Sequence, residues 1–106
     1  MTKTQQISKE LKKILFERLG NNLKEVILFG SQAYGGANDY SDYDFLIILN
    51  EVPDWKLKRE ISELCYQLDL KYDTFIDVHI LGKDEINSLR GSQPIFQTAL
   101  KKGIYA

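Results

Sequence analysis

The middle of the chain reads VILFGS over residues 26–31 and, after ten intervening residues, DYDFLIIL over residues 42–49. Each apolar run is short, and each predicts a strand that is buried on both faces. Asp42 and Asp44 are two residues apart where a loop enters the second strand, so we expect their side chains on the same side of it. Gly30-Ser31 ends the first strand, where backbone N–H groups can bind a phosphate. The pattern predicts a metal-bound nucleoside triphosphate at one end of a small sheet.

A purely structural explanation fits one of these two carboxylates better than the other. Asp42 follows a run of turn-forming residues, 38–41, and can be explained as a turn residue. Asp44 precedes an apolar run, although aspartate is disfavoured in strands. Carboxylates beside a core are normally paired or bind a metal, so Asp44 indicates a functional site.

Two long helices flank this region. Apolar residues recur at helical spacing before residues 20–22, which end the first helix, and again after Pro53-Asp54, which begin the second. The expected inner faces are Ile7, Leu11, Ile14, Leu15 and Leu19 in the first helix and Leu57, Ile61, Leu64, Cys65 and Leu68 in the second. Cys65 therefore belongs to the predicted core, and no chemistry is assigned to it.

The remaining elements complete an alternation of helices and strands. We expect a short helix and a flexible Gly35-Gly36 turn between residues 31 and 41, and a third strand at about 74–81. A last helix is expected to be capped by Ser92 and to end at Gly103. This order predicts an α/β (α+β) fold, a small mixed sheet flanked by about four helices. The tail that follows Gly103 either completes the sheet or contributes to docking.

The predicted third strand carries a further carboxylate. Asp77 lies between Ile76 and Val78, and an unpaired carboxylate inside a strand is costly. Asp77 therefore indicates a functional site, and the alternative explanation is an ion pair that only stabilises the fold. His79 shares a face with Asp77 and either orients it or is an ordinary half-buried histidine, which is the more common case.

Gly30-Ser31-x-Ala33-x-Gly35, followed by Ser41-Asp42-x-Asp44, resembles the signature of the minimal nucleotidyltransferases of the polymerase-beta-like superfamily. Many of these proteins are MNT antitoxins encoded beside HEPN toxins. The resemblance extends over the whole chain and implies a single catalytic domain, 1–106, with Asp77 as the third catalytic carboxylate. Many relatives carry arginine where this chain has Gln32 and Tyr34, which affects triphosphate binding or nucleotide preference.

The resemblance and the charges together imply a mechanism. Asp42, Asp44 and Asp77 are the candidate catalytic and metal-binding residues, and two Mg²⁺ ions roughly 3.5–4 Å apart are expected at such a site. Gly30 and Ser31 would bind the β- and γ-phosphates of ATP. The acceptor hydroxyl would attack the α-phosphorus, and pyrophosphate would leave. The implied acceptor is a HEPN ribonuclease toxin, silenced by adenylylation of a tyrosine.

Composition limits the other possibilities. A formal charge of −1 argues against a large nucleic-acid footprint. One cysteine excludes an internal disulfide and favours the cytoplasm, and no apolar run is long enough for a membrane span. Three tyrosines near the phosphate loop are interpreted as surface residues, with contact to a nucleobase or a partner as the alternative: Tyr34, Tyr40 and Tyr43.

Three classes of function remain open at this point. The first is an adenylyltransferase that modifies a partner protein. The second is a binding module of the same fold that acts by occlusion, which the missing arginines favour. The third is a nucleotidyltransferase for a small-molecule acceptor such as an aminoglycoside. Three acidic residues at the predicted site favour catalysis over occlusion.

Overall fold

The computed structural model describes residues 1–38, 41–88 and 90–106. Its helices and strands are, in chain order, α1 (Lys3–Leu19), β1 (Leu23–Phe29), α2 (Ser31–Tyr34), β2 (Tyr43–Leu49), α3 (Trp55–Tyr72), β3 (Ile76–Gly82), α4 (Pro94–Lys102) and β4 (Ile104–Tyr105). Two short 3₁₀ segments, Gly20–Asn22 and Lys83–Glu85, follow α1 and β3. None of the described helices is both long and apolar enough to cross a bilayer.

The strands form one mixed sheet in the order β3-β2-β1-β4. β1 pairs with β2 and with β4 in antiparallel fashion, whereas β2 and β3 are parallel. A parallel pair needs a long crossover connection, and α3 supplies it. The mixed α/β architecture predicted from the sequence is confirmed.

Each face of the sheet packs against its own helices, because the strands are apolar on both faces. On one face, α1 and α3 cover a core whose buried residues include Ile7, Leu11, Leu15, Ile61, Cys65 and Leu68. On the other face, α4 packs Phe96 and Ala99 against Ile27, Phe29, Leu46, Ile48 and Leu81. The inner faces expected for the two long helices are confirmed, and burial raises the pKa of the Cys65 thiol to about 12.

Local side-chain hydrogen bonds fix the starts of the long helices. Thr2 and Gln5 form a capping box, in which each side chain accepts a hydrogen bond from the other residue's backbone N–H. Asp54 caps α3, where its Oδ1 accepts from Leu57 N at 2.8 Å. A cap of this kind stabilises a helix by typically about 1 kcal/mol.

The structure corrects several element boundaries. β1 begins at Leu23, three residues before the apolar run, because pairing with β2 extends beyond the buried residues. β3 begins at Ile76 rather than at 74, since Asp73 is in the left-handed conformation that ends α3. α4 has Gln93 at its N-cap, without a side-chain cap, so the prediction that Ser92 caps it was wrong. The tail after Gly103 pairs with β1, and thus completes the sheet.

Gly30 is the residue that joins β1 to α2, and its backbone allows no other residue type without strain. Its φ of 73° and ψ of −160° lie in a region that only glycine adopts readily. A Cβ atom placed there would lie 2.2 Å from Asp44 Oδ2. Glycine therefore serves both the turn and the close approach of the Asp44 side chain.

We expect Gly30→Ala to destabilise the protein more than Gly35→Ala. Both glycines have positive φ with ψ near 180°, so alanine at either costs about 1–3 kcal/mol in backbone strain. Only at Gly30 would the added methyl group also displace a described side chain, since no atom of the described residues lies within 4 Å of a Cβ at Gly35. Urea unfolding of both variants measures the difference. Equal losses would show that the contact with Asp44 is not a constraint.

Candidate active site

The candidate site lies where three strands bring their ends together on the α4 face of the sheet. β1 ends at Phe29, β2 begins at Tyr43 and β3 begins at Ile76. Antiparallel pairing puts Phe29 opposite Asp44, and parallel pairing puts Asp44 opposite Asp77. The sheet thus aligns two aspartates from segments that are 33 positions apart in sequence (77 minus 44).

Asp44, Asp77 and His79 form one group of potential metal ligands. One carboxylate oxygen from each aspartate and one imidazole nitrogen all lie within 4.8 Å of one another. All three side chains are partly buried, and His79 Nε2 lies 3.5 Å from Asp77 Oδ2. Oxygen donors of this kind suit Mg²⁺, and a mixed set with imidazole also suits first-row transition ions.

Within this group, the surroundings of Asp44 disfavour the ionised form of its carboxyl group. Burial raises the pKa of its carboxyl group, and the negative charges of Asp77 and Asp42 raise it further. His79 acts in the opposite direction. Like charges held together disfavour ionisation, so a cation beside Asp44 would relieve an existing repulsion.

Asp42 is close enough to influence Asp44 but is not part of the group of three. Among the described residues, the ligand atoms that lie within 4.8 Å of one another are those of Asp44, Asp77 and His79. Asp42 is exposed and lies one residue before β2 begins. Its role as a metal ligand stays a prediction.

The Gly30-Ser31 turn lies beside these carboxylates. The Asp44 side chain lies so close to Gly30 that a Cβ atom there would clash with it. The Gly30 carbonyl accepts hydrogen bonds from the backbone N–H groups of Ala33 and Tyr34. Those bonds hold the single helical turn α2. Gln32 donates from Nε2 to the carbonyl of Ser41 at 3.3 Å. Gln32 therefore ties the start of α2 to the residue before Asp42.

A pocket of about 430 Å³ opens above the group. Its described lining is Phe29, Gly30, Tyr34, Asp44, Asp77, His79, Pro94, Ile95 and Thr98. α4 thus supplies one wall and the three strand ends supply the floor. This lining contains neither lysine nor arginine, so no permanently charged cationic side chain is present in the described pocket to balance a triphosphate.

The tyrosines near the phosphate loop have different environments. Tyr34 lines the pocket and is 46% exposed, which leaves both earlier interpretations of it open. Tyr43 is 7% exposed and packs in the core beneath α1 and α3, so its interpretation as a surface tyrosine was wrong. Tyr40 lies outside the described residues.

The two other aspartates near β3 have structural roles. Asp69 Oδ1 accepts a hydrogen bond from Ile76 N at 2.8 Å and so connects the end of α3 to the start of β3. Asp73 ends α3 with a φ of 53°. Neither aspartate belongs to the group of potential ligands found in the described part of the chain, whereas Asp77 does.

The sequence left the role of His79 open and could not identify the wall of the pocket. The signal for His79 was its two-residue spacing from Asp77, which puts both side chains on one face of β3. Pro94, Ile95 and Thr98 follow no pattern that links them to the aspartates. Only the packing of α4 across the sheet brings them to the site.

Comparisons with known proteins agree with this geometry. The model of the nucleotidyltransferase domain family matches residues 8–104. A relative from Methanocaldococcus jannaschii, "Putative protein adenylyltransferase MJ0141", is 41% identical over 78 residues, which cover 74% of this chain and 79% of the relative.

Two solved structures resemble the fold. One is a tri-AMPylated Shewanella oneidensis HEPN toxin in complex with MNT antitoxin: the TM-score is 0.57, the identity 20%, and the match covers 96% of this chain and 70% of that one. The other is the spectinomycin adenyltransferase AAD(9) from Enterococcus faecialis with ATP and spectinomycin, with a TM-score of 0.60 and 25% identity, covering 79% of this chain and 36% of that one. With its family match, its relatives and its fold in agreement, this chain belongs to the nucleotidyltransferase domain family and is a nucleotidyltransferase.

Proposed function

We propose that this nucleotidyltransferase moves AMP from ATP to a hydroxyl group of a partner protein, with divalent metal ions, Mg²⁺ above all, as cofactors. The observation that supports this most is the pairing of Asp44 with Asp77 at the floor of the pocket, next to the Gly30-Ser31 turn. A triphosphate and an acceptor must meet at such a place for nucleotidyl transfer.

The residues present suit a divalent cation. Two carboxylates of one group repel each other, and Gly30 leaves room for Asp44 that any Cβ would fill. Asp44 and Asp77 would hold the ion, with Asp42 from the adjoining loop as the further predicted ligand. When bound, a divalent ion neutralises phosphate charge and polarises the α-phosphate.

The chain's own residues would position the reactants. Backbone N–H groups at Gly30-Ser31 and the Ser31 hydroxyl would donate hydrogen bonds to the β- and γ-phosphates. The acceptor oxygen would form a bond to the α-phosphorus while the bond from that phosphorus to the bridging oxygen breaks and pyrophosphate leaves. The hydroxyl proton would pass to the Asp77 carboxylate or to water. Positioning and electrostatics would account for most of the rate.

A protein acceptor suits the exposure of the site. The Asp77 side chain is 49% exposed, so a hydroxyl group on another macromolecule can reach it. The name of the Methanocaldococcus jannaschii relative and the AMPylated toxin in the Shewanella oneidensis complex both support a protein acceptor. We propose on the same grounds that the partner is a HEPN-type toxin and that the chain is its antitoxin.

The first test is transfer of label from ATP labelled on the α-phosphate to protein in a lysate of the source organism with Mg²⁺. We expect Asp44→Asn and Asp77→Asn to lose at least about 100-fold in labelling, because even outer-sphere changes at metal sites cost 10- to 100-fold. Asp73→Asn is the matched control: it removes the same charge nearby, and asparagine tolerates the left-handed conformation of Asp73.

The form of the product separates the remaining possibilities. A labelled band that disappears after protease treatment supports a protein acceptor. Label found only in a small product would support a small-molecule acceptor instead. A partner that is retained by wild type and by Asp44→Asn, with no label in either, would support occlusion without catalysis.

A second prediction concerns stability without metal. In EDTA at neutral pH, we expect Asp44→Asn to raise the midpoint of thermal unfolding relative to wild type. The reason is that asparagine removes a partly buried charge that Asp77 and Asp42 repel. The folded-state pKa of Asp44 is raised, so its ionised form lowers stability at neutral pH.

The pH dependence of stability tests whether the ionised Asp44 side chain destabilises the folded protein. The destabilisation by Asp44 disappears as pH falls through its raised pKa and below the ordinary aspartate value of 3.8. The unfolding midpoints of wild type and Asp44→Asn should therefore become equal in acid. Adding Mg²⁺ or Mn²⁺ should raise the midpoint of wild type but not of Asp44→Asn. A variant that is less stable than wild type in EDTA would contradict the proposed repulsion.

A further inference from the structure

His79 occupies an unusual position for a half-buried histidine. Its ring contacts those of Phe29 and Phe96, with centroid distances of 5.6 Å to each. Its side chain is 29% exposed and lines the pocket. Two aromatic neighbours restrict the plane of the imidazole and leave its edge facing the carboxylates.

His79 and Asp77 are close but do not form a hydrogen bond. The separation of 3.5 Å exceeds the usual 2.7–3.2 Å for a nitrogen donor and an oxygen acceptor. Neither nitrogen of the imidazole hydrogen-bonds to another described residue. An imidazole nitrogen thus lies within 4.8 Å of one carboxylate oxygen of Asp44 and one of Asp77, and no described hydrogen bond engages it.

We infer that His79 is a third protein ligand of the metal ion held by Asp44 and Asp77. The ligand set is then two carboxylate oxygens and one imidazole nitrogen, rather than the three carboxylates predicted from the sequence. Imidazole favours first-row transition ions, whereas Mg²⁺ prefers oxygen. The site therefore binds Mn²⁺ and its heavier neighbours more tightly than Mg²⁺. This inference rests on the proposed function only in requiring a divalent ion at these carboxylates.

Pulsed electron paramagnetic resonance of Mn²⁺ added to the whole chain, prepared without a histidine tag, tests the ligand directly. His79 is the chain's single histidine, so coupling to an imidazole nitrogen can arise from no other residue. We expect the ¹⁴N coupling in wild type and its replacement by ¹⁵N coupling when only histidine is labelled. This readout needs neither nucleotide nor turnover.

Binding measurements on three variants assign the remaining ligands. His79→Gln should weaken Mn²⁺ binding by about 10-fold or more and abolish the nitrogen coupling, while Mg²⁺ binding changes less. Asp44→Asn should abolish binding of both ions. Asp42→Asn should retain the nitrogen coupling. Circular dichroism confirms that each variant is folded, and the isotope experiment on wild type needs no variant.

The inference is overturned if wild type binds no Mn²⁺, or if bound Mn²⁺ shows no imidazole coupling. It is also overturned if Asp42→Asn abolishes Mn²⁺ binding while His79→Gln does not. Failure of the proposed function has a different result: the nitrogen coupling is present, and no AMP transfer is found with either metal.

Discussion

Asp44 and Asp77 lie opposite each other because β2 and β3 pair in parallel register, and the rest of the site depends on that alignment. A shift of one residue would turn one carboxylate toward the opposite face of the sheet. The register is held by apolar residues on both faces of β2, which contact α1 and α3 on one side and α4 on the other. The core therefore sets the distance between two charges that repel each other.

The two faces of the sheet differ in how polar they are. The face beneath α1 and α3 is almost entirely apolar, and an ion pair between Glu10 and Lys71, 2.6 Å apart, also connects these helices at the surface. The α4 face has a core with Phe96 and Ala99, and toward the strand ends it carries Asp44, Asp77 and His79. Catalytic sites often contain groups that reduce stability, and under the proposed function Asp44 would be such a group.

The pocket also suggests how charge is balanced during the reaction. Its described lining has carboxylates and an imidazole but no lysine or arginine. Gln32 hydrogen-bonds to the carbonyl of Ser41 and so holds the segment that leads to Asp42. Under the proposed function, the positive charge that a triphosphate requires would come from metal ions or from the partner protein. The open position of Asp77 is consistent with an acceptor that arrives on another chain.

Much of this arrangement was predictable from local pattern. Apolar periodicity indicated the two long helices and the first three strands, and Gly30-Ser31 with the aspartates of β2 and β3 indicated where the candidate site lies. Such features were accessible because strand alternation, helix periodicity and the cost of a buried carboxylate are local properties of the chain. Strand pairing, the nearness of His79 to Asp44 and the wall formed by α4 were not. These features depend on which elements pack together across the sheet. Contacts between segments that are far apart in the chain produce no repeating pattern of residues in the sequence.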